Sequence, residues 1–356
     1  MQSSKEVFIA LVRLGIGHSF APPPQTLNWD EIKVLAENQG LSAVIVDGID
    51  KLPDCQKPPK SVLLQWIGEV LQGYEYRYEL YRRTVAEMAA WHNSHGYKMM
   101  VLKGYACGLD WPKPEHRPCG DIDIWQFGAQ KEADTALAKE KHIKIDKSHH
   151  HHTVFYWHDF IVENHYDFIE VHHHSSSPSL ERILKVQGQD DSHCVKLYGE
   201  TVYVPSPNLH ALFLLRHNME HFASTGITLR QLLDWAFFVK AHCKEVDWVW
   251  LEAILDDFGM KKLYDIFNAI CVENLGFEVN IFNRVQFEPA LKERVLNEII
   301  SPEFNEKQPK CLIGRVSYKY RRWKANGWKQ NLCYKGSRRS AFWSAVWNHI
   351  LKPKSI

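Results

Sequence analysis

Two aspartates in the stretch GDIDIWQF have the spacing of a divalent-cation site. Asp121 and Asp123 alternate with Ile122 and Ile124, and residues two apart in a β-strand project from the same face of a sheet. The isoleucines would then face the core, and the carboxylates would point together to the other side. Because two neighbouring like charges repel each other and are costly to desolvate, a compensating cation is expected, chiefly Mg²⁺. The alternative is a solvated sheet edge.

Residues just before this pair are suited to holding phosphate groups. Lys103 and Gly104 end the apolar run KMMVLKG, and a lysine beside a glycine turn can bind phosphate through its ammonium group and the backbone N–H groups. Arg117 precedes Asp121 by four residues and could neutralise phosphate or brace the carboxylates, while Gly120 permits a close approach to the backbone. The alternatives are an ordinary turn with an exposed lysine and an exposed loop arginine.

A second candidate site is the segment HNMEH, residues 217–221. On a helix its two histidines, His217 and His221, lie one turn apart and could ligate zinc with Glu220 as a base. The protein would then be a zinc metalloprotease of the inverted-motif type, with a downstream acidic ligand such as Glu273.

Two runs of histidines, residues 149–152 and 172–174, could also bind transition metals. Polar histidines beside a strand are commonly solvated, so the runs alone indicate affinity for nickel resin more strongly than a function.

The elements before the aspartates are predicted to be helical. LNWDEIKVLAENQG has Asn28 and Glu31 in the arrangement of a capping box and Gly40 as a stop signal. Apolar positions at helical spacing continue over residues 61–93. These stripes predict core packing and not a site.

The hydrophobic period changes near residue 97. KMMVLKG, DIDIWQF and ETVYVPSP predict strands, HTVFYWHDFIVENHYDFIEVHHH predicts one or two more, and residues 131–141 have a helix-forming composition. Helical periodicity returns over residues 208–242. The chain is therefore expected to be α+β, with a helical segment (1–95), a small mixed-sheet core (96–205) and a C-terminal helical region with a basic aromatic tail (206–356).

Composition indicates a folded protein. The 356 residues are 45% hydrophobic and 12% aromatic, and neither a basic-then-apolar leader nor a bilayer-length apolar run is present. We expect a cytoplasmic protein without a transmembrane segment. The eight scattered cysteines predict reduced thiols, because they have no disulfide-framework or zinc-site spacing.

The net charge of +1 is unevenly distributed, because residues 307–356 contain 13 Lys and Arg and no Asp or Glu. Aromatic residues such as Trp323, Trp328 and Trp343 are interleaved with these charges. The tail could pack on the acidic body as a closing helical segment, bind nucleic acid or another phosphate-rich partner, or lie on an anionic membrane.

The order VLKG, Arg, GDIDI, IEVHHH and HNMEHFASTGITLRQLLDWAFF resembles the nucleotidyltransferases of the polymerase-beta superfamily. More closely, it is similar to the bacterial branch described as uncharacterised nucleotidyltransferases, and the likeness covers most of the chain. The first turn differs, since Lys103-Gly104 stands where superfamily members generally have Gly-Ser or Gly-Gly.

The resemblance implies a Mg²⁺-dependent enzyme with two bound ions. It would move a nucleoside monophosphate from an NTP, with ATP among the candidates, to a hydroxyl acceptor and release pyrophosphate. Asp121 and Asp123 would be catalytic metal ligands, and Glu170 in YDFIEVHHH would be the third, with Asp167 as the fallback. Strand alternation would place Glu170 on the same face as His172, which would orient it.

The candidate nucleotide contacts are Lys103, Gly104, Arg117, Gly120 and Arg230, with Lys103 and the Gly104 backbone holding the triphosphate where the superfamily generally has a serine. The spacing of Arg230 from the aspartate four residues later predicts an ion pair instead. The acceptor could be a small molecule, a protein side chain or an RNA end, and the basic tail favours a phosphate-rich one. The alternatives are the zinc metalloprotease and a non-catalytic nucleic-acid-binding protein that uses the tail.

Overall fold

The structure is a computed structural model, and it describes residues 4–18, 28–171, 174–309 and 311–335. Helices lie before and after a six-stranded mixed sheet, which confirms the predicted α+β class. The domain limits predicted after residues 95 and 205 stay a prediction. The strands are β1 (Met100–Val101), β2 (Ile122–Trp125), β3 (His152–Trp157), β4 (Phe160–His165), β5 (Cys194–Leu197) and β6 (Glu200–Tyr203).

The helices fall into three groups along the chain. Those before the sheet are α1 (Ser4–Gly15), α2 (Trp29–Gln39), α3 (Ser42–Asp50), α4 (Lys60–Val70) and α5 (Arg77–Ser94). Those between strands are α6 (Gly104–Gly108), α7 (Gln130–Lys141) and α8 (Ser177–Gln187). Those after the sheet are α9 (Pro207–Ser224), α10 (Leu229–His242), α11 (Trp248–Asp257), α12 (Lys261–Glu273), α13 (Pro289–Ile300), α14 (Leu312–Ala325) and α15 (Gly327–Cys333).

The sheet has the order β3-β4-β2-β1-β6-β5. β2 is antiparallel to β1 and parallel to β4, whereas β3–β4 and β5–β6 are antiparallel hairpins. The register of β2 and β4 places Asp123 beside Glu163 and Ile122 beside Val162. Because successive side chains alternate between faces, one face of this strand pair is apolar and the other carries carboxylates.

Both faces of the sheet are covered, by different helices. Ile122 and Ile124 are 0% exposed and pack with Val85 of α5, as the alternation predicts. On the opposite face, Trp125 stacks on Phe168 at a centroid distance of 4.3 Å and joins a core that includes α1 and the helices after the sheet. Burying each such side chain contributes about 1.5–3 kcal/mol, so these two layers hold β2 in place.

The helices before the sheet have the predicted ends. The Asn28 side chain accepts a hydrogen bond from the backbone N–H of Glu31, and Gly40 ends α2 with φ of +64°. The helical run predicted over residues 61–93 is α4 and α5, which a π-helical turn, Leu71–Tyr76, joins.

The strand predicted over YDFIEV is wrong, because β4 ends before Tyr166. The backbone N–H groups of Tyr166 and Asp167 both donate to the carbonyl of His151, and the next two donate to the Glu181 carboxylate on α8. These bonds take the chain out of the sheet. The alternation argument for the direction of Glu170 therefore does not apply.

Strand β5 was not predicted. Only Leu197 is buried in it, so it has no apolar alternation to recognise; the turn at Tyr198 and Gly199, both with positive φ, was the available signal.

The described part of the basic tail packs against the body. The Lys329 ammonium pairs with Glu298, and both side chains are at most 3% exposed. The Arg294 guanidinium lies 4.0 Å from the ring centroid of Trp328. Residues 311–335 thus form a closing helical segment, whereas residues 336–356, including Trp343, lie outside the described residues. No helix in the described part of the chain is long and apolar enough to cross a membrane.

Candidate active site

Three carboxylates line one cavity at the polar face of β2 and β4. Asp123 is 1% exposed and its Oδ1 lies 2.7 Å from Lys103 Nζ and 3.0 Å from His165 Nε2. Glu163 is the strand neighbour of Asp123 on β4. Asp121, two residues before Asp123, is exposed to solvent. All five side chains line a cavity of about 750 Å³ between the sheet and α9.

Gly104 lets the chain turn sharply after β1 so that Lys103 faces the cavity. Its φ is +28°, and a Cβ there would overlap the Tyr81 hydroxyl. That hydroxyl donates a hydrogen bond of 3.1 Å to the carbonyl of Asp121. One small residue therefore allows α5 to brace the start of β2 beside the lysine.

The electrostatics of the carboxylates favour binding of a cation. Burial opposes ionisation of Asp123, but the charge of Lys103 and the hydrogen bond from His165 hold the pKa of Asp123 well below its ordinary value. Burial and the negative charge of Asp123 raise the pKa of Glu163 to about 7. Lys103 pairs directly with Asp123, and oxygen ligands from Asp121, Asp123 and Glu163 fit a hard divalent ion such as Mg²⁺.

Glu170 lines the same cavity, but it lies in the loop after β4 and not beside Asp123. Its Oε2 is 3.6 Å from His151 Nδ1. The structure instead places Glu163 next to Asp123, a residue that we did not predict from the sequence. The available signal was the spacing Glu-x-His, which occurs as Glu163-Asn164-His165 before it recurs at Glu170. The predicted partner of Glu170, His172, lies outside the described residues.

The predicted phosphate ligand Arg117 is already paired in the structure. Its Nε and Nη2 donate to the two carboxylate oxygens of Asp234 at 2.7 and 3.0 Å, and Trp111 Nε1 donates to the same carboxylate at 2.8 Å. Arg230 Nη1 lies 3.7 Å from Asp234 Oδ2, so the predicted ion pair is present. Two guanidinium groups share one carboxylate, which leaves one positive charge at the cavity wall.

Comparison with known proteins assigns the family. The model of the family described as "Uncharacterised nucleotidyltransferase" matches residues 25–276, most of the chain. The chain belongs to this family. The matched span includes Lys103, the three carboxylates and α9.

One solved structure that matches is a nucleotidyltransferase-like protein, described as antigenic, from Paracoccidioides brasiliensis. It is 16% identical, covers 45% of this chain and 75% of its own, and superposes with a TM-score of 0.32. No curated protein matches.

The two glycines among the predicted nucleotide contacts, Gly104 and Gly120, differ in whether the fold requires a glycine. Gly104 is needed for the turn, whereas a Cβ at Gly120 would contact nothing within 4 Å. Gly120 still lines the cavity with Arg230, and its predicted role stays a prediction.

The HNMEH motif lies on α9 and faces the same cavity. The rings of His217 and His221 have centroids 4.3 Å apart, and His221 Nδ1 forms a hydrogen bond of 3.0 Å with Thr225. Among the described residues, neither histidine belongs to a group of three ligand atoms within 4.8 Å of one another. The proposed zinc ligand Glu273 pairs with Lys292 instead. The motif therefore supplies a polar cavity wall.

Proposed function

We propose that this nucleotidyltransferase is a Mg²⁺-dependent enzyme of the polymerase-beta type that transfers a nucleoside monophosphate from an NTP to a hydroxyl acceptor. The observation that carries the proposal is that Asp123 and Glu163 are strand neighbours beside Lys103, in a cavity that Asp121 also lines. The oxygen atoms of these three carboxylates would hold the metal, with Glu163 in the third-ligand role first assigned to Glu170.

The chain's own charges divide the cavity into a metal side and a phosphate side. Lys103 balances Asp123 at the floor of the cavity, and Arg230 shares Asp234 with a second arginine at the wall. A triphosphate would lie between these cations, since both can neutralise phosphate oxygens.

The proposed reaction is an in-line displacement. The acceptor oxygen forms a bond to the α-phosphorus, the bond from that phosphorus to the β-phosphate bridging oxygen breaks, pyrophosphate leaves and the hydroxyl proton passes to solvent. Mg²⁺ held by Asp121, Asp123 and Glu163 would neutralise charge on the phosphates and lower the pKa of the acceptor hydroxyl. Positioning of both substrates by the cavity supplies the rest of the rate.

The first test is calorimetric titration of non-hydrolysable NTPs with Mg²⁺ into the protein and into Asp121→Ala/Asp123→Ala. We expect metal-dependent binding that weakens by at least about 100-fold in the double variant. Removing a residue that ligates the metal directly should reduce affinity at least as much as removing a residue that only hydrogen-bonds to a ligand. The matched control is Asp159→Asn, an exposed carboxylate in the β3–β4 turn. Equal binding by the folded double variant would overturn the proposal.

A second titration decides the third carboxylate. Glu163→Gln should weaken Mg²⁺-dependent nucleotide binding strongly, whereas Glu170→Gln should have the smaller effect, because only Glu163 is the strand neighbour of Asp123. The opposite order would return the role to Glu170. Release of pyrophosphate, and not orthophosphate, from a hydrolysable NTP would identify nucleotidyl transfer.

A further inference from the structure

Three imidazole rings meet beside the carboxylates, outside the polymerase-beta pattern. His151 and His152 lie at the start of β3, and the β3–β4 register pairs His152 with His165. The ring centroids of His151 and His152 are 4.3 Å apart, and that of His165 is 5.5 and 5.3 Å from them. One nitrogen of each ring lies within 4.8 Å of the others.

The ring nitrogens of this cluster are poorly satisfied. His152 is 6% exposed, and neither of its nitrogens has a hydrogen-bond partner within the described ranges; Nδ1 of His151 also lacks one. A buried ring nitrogen without a hydrogen-bond partner is unfavourable, and a metal ion would satisfy it.

His165 differs from His152, because both of its ring nitrogens face hydrogen-bond acceptors. Nδ1 lies 3.2 Å from the carbonyl of Asp167, and Nε2 lies 3.0 Å from Asp123 Oδ1. A neutral imidazole has one N–H, so when Nε2 donates to Asp123, Nδ1 turns a lone pair towards the carbonyl of Asp167. A metal ion at Nε2 would let Nδ1 carry the proton and donate it to that carbonyl, which would fix the ring as outer partners of metal ligands do.

We propose that His151, His152 and His165 bind a divalent transition-metal ion, with Zn²⁺ as the representative, at a site adjoining the carboxylates. Imidazole nitrogens suit such ions, whereas Mg²⁺ prefers oxygen. Two carboxylates close to the cluster would offset the charge of the ion: Glu163 Oε1 lies 3.8 Å from His152 Nε2, and Glu170 Oε2 lies 3.6 Å from His151 Nδ1. This gives Glu170 a role beside the imidazoles, and the site does not depend on the proposed function.

Metal binding requires a small contraction of the cluster. Ligand atoms about 2.1 Å from a tetrahedral zinc ion are about 3.4 Å apart, so nitrogens up to 4.8 Å apart must move inward. His151 and His152 lie at one end of the β3–β4 hairpin, next to a loop, where side-chain rotation can supply that movement.

The test is calorimetric titration of Zn²⁺ into the full chain in excess Mg²⁺. The wild type should bind one tight equivalent, and His151→Gln/His152→Gln should weaken it by at least about 100-fold. The matched control comes from the same histidine run, since His149→Gln/His150→Gln also removes two imidazoles but leaves the three-ring cluster intact. Zinc-edge X-ray absorption of the wild type should show three imidazole ligands.

Each outcome decides the proposal. Loss in His151→Gln/His152→Gln with retention in the control supports the site, as does a three-imidazole spectrum if the first variant does not fold. Equal loss in both variants would assign the metal to the exposed run, and no tight equivalent in the wild type, or a spectrum with fewer imidazoles, would overturn the proposal.

Discussion

The buried ion pair at the cavity wall gives the sharpest prediction on stability. Asp234 is 4% exposed and accepts two hydrogen bonds from Arg117 and one from Trp111, all between 2.7 and 3.0 Å. Arg230 lies 3.7 Å away. The perturbation is Asp234→Asn, which keeps the shape of the side chain and removes its charge.

The expected loss is about 3–5 kcal/mol in the free energy of unfolding, the effect of removing one partner of a buried ion pair. Asparagine can still accept from Trp111 and one arginine nitrogen through its oxygen. Its amide group replaces the second acceptor, which removes one charge-assisted bond of about 1.5–3 kcal/mol. Arg117 and Arg230 then repel each other without the shared carboxylate, and this repulsion accounts for the remainder.

The assay is urea unfolding followed by circular dichroism, in a cycle with Arg117→Gln and the double variant. We expect the double variant to lose less than the sum of the single changes, by about 2 kcal/mol or more. The control is Asp191→Asn, which breaks the Lys98–Asp191 pair, whose side chains are 49% and 44% exposed; it should cost under about 1 kcal/mol. If Asp234→Asn costs no more than this control, the reasoning from burial is refuted.

Three further predictions concern the stability contributed by Gly104, His116 and Phe8. Gly104→Ala should lose about 1–3 kcal/mol of unfolding free energy and weaken nucleotide binding, because its Cβ would overlap the Tyr81 hydroxyl at a φ of +28°. Burial opposes the charged form of His116, but its contact with Asp47 at 2.6 Å outweighs this and raises the pKa of His116 above 6.5. The wild type should therefore be more stable than His116→Gln below pH 6.5. This difference in unfolding free energy should disappear as pH rises through the folded-state pKa of His116. Phe8→Ala should cost about 3–5 kcal/mol in one unfolding transition, since α1 belongs to the core of the helices after the sheet.

The same urea-unfolding measurements supply the controls. Gly73→Ala adds a methyl group where nothing lies within 4 Å, so a loss equal to that of Gly104→Ala would contradict the steric argument. A pH-independent difference between His116→Gln and the wild type would contradict the raised pKa. A separate early transition in Phe8→Ala would show that α1 unfolds apart from the rest.

Local structure was predictable where neighbouring residues determine it. The side-chain cap of Asn28, the stop at Gly40 and the alternation of Ile122 and Ile124 depend on residues a few positions apart, and all three have their predicted form. Strand β5 was missed because it is mostly exposed and short, so its hydrogen bonds to β6, and not an apolar pattern, hold it in the sheet.

The end of β4 could not be predicted from the residues of the strand alone. The run YDFIEV has the residue types of a strand, but the carbonyl of His151 and the carboxylate of Glu181 capture its backbone N–H groups. No pattern within the run reveals those partners, because Glu181 lies on α8 and is brought there by the packing of that helix.

The sequence by itself determined that Asp123 alternates with Ile122 and Ile124 in a buried strand after a Lys-Gly turn, because strand alternation is a local property. It also carried the motifs of the family. Only the tertiary structure decided which groups surround the Asp123 carboxylate. Parallel pairing of β2 with β4 brought Glu163 beside Asp123, and the packing of α10 brought Asp234 to Arg117, 117 residues away. Charges separated by such distances along the chain meet only when the core has formed, since burial of the apolar faces, and not attraction between the charges, sets where each strand and helix lies.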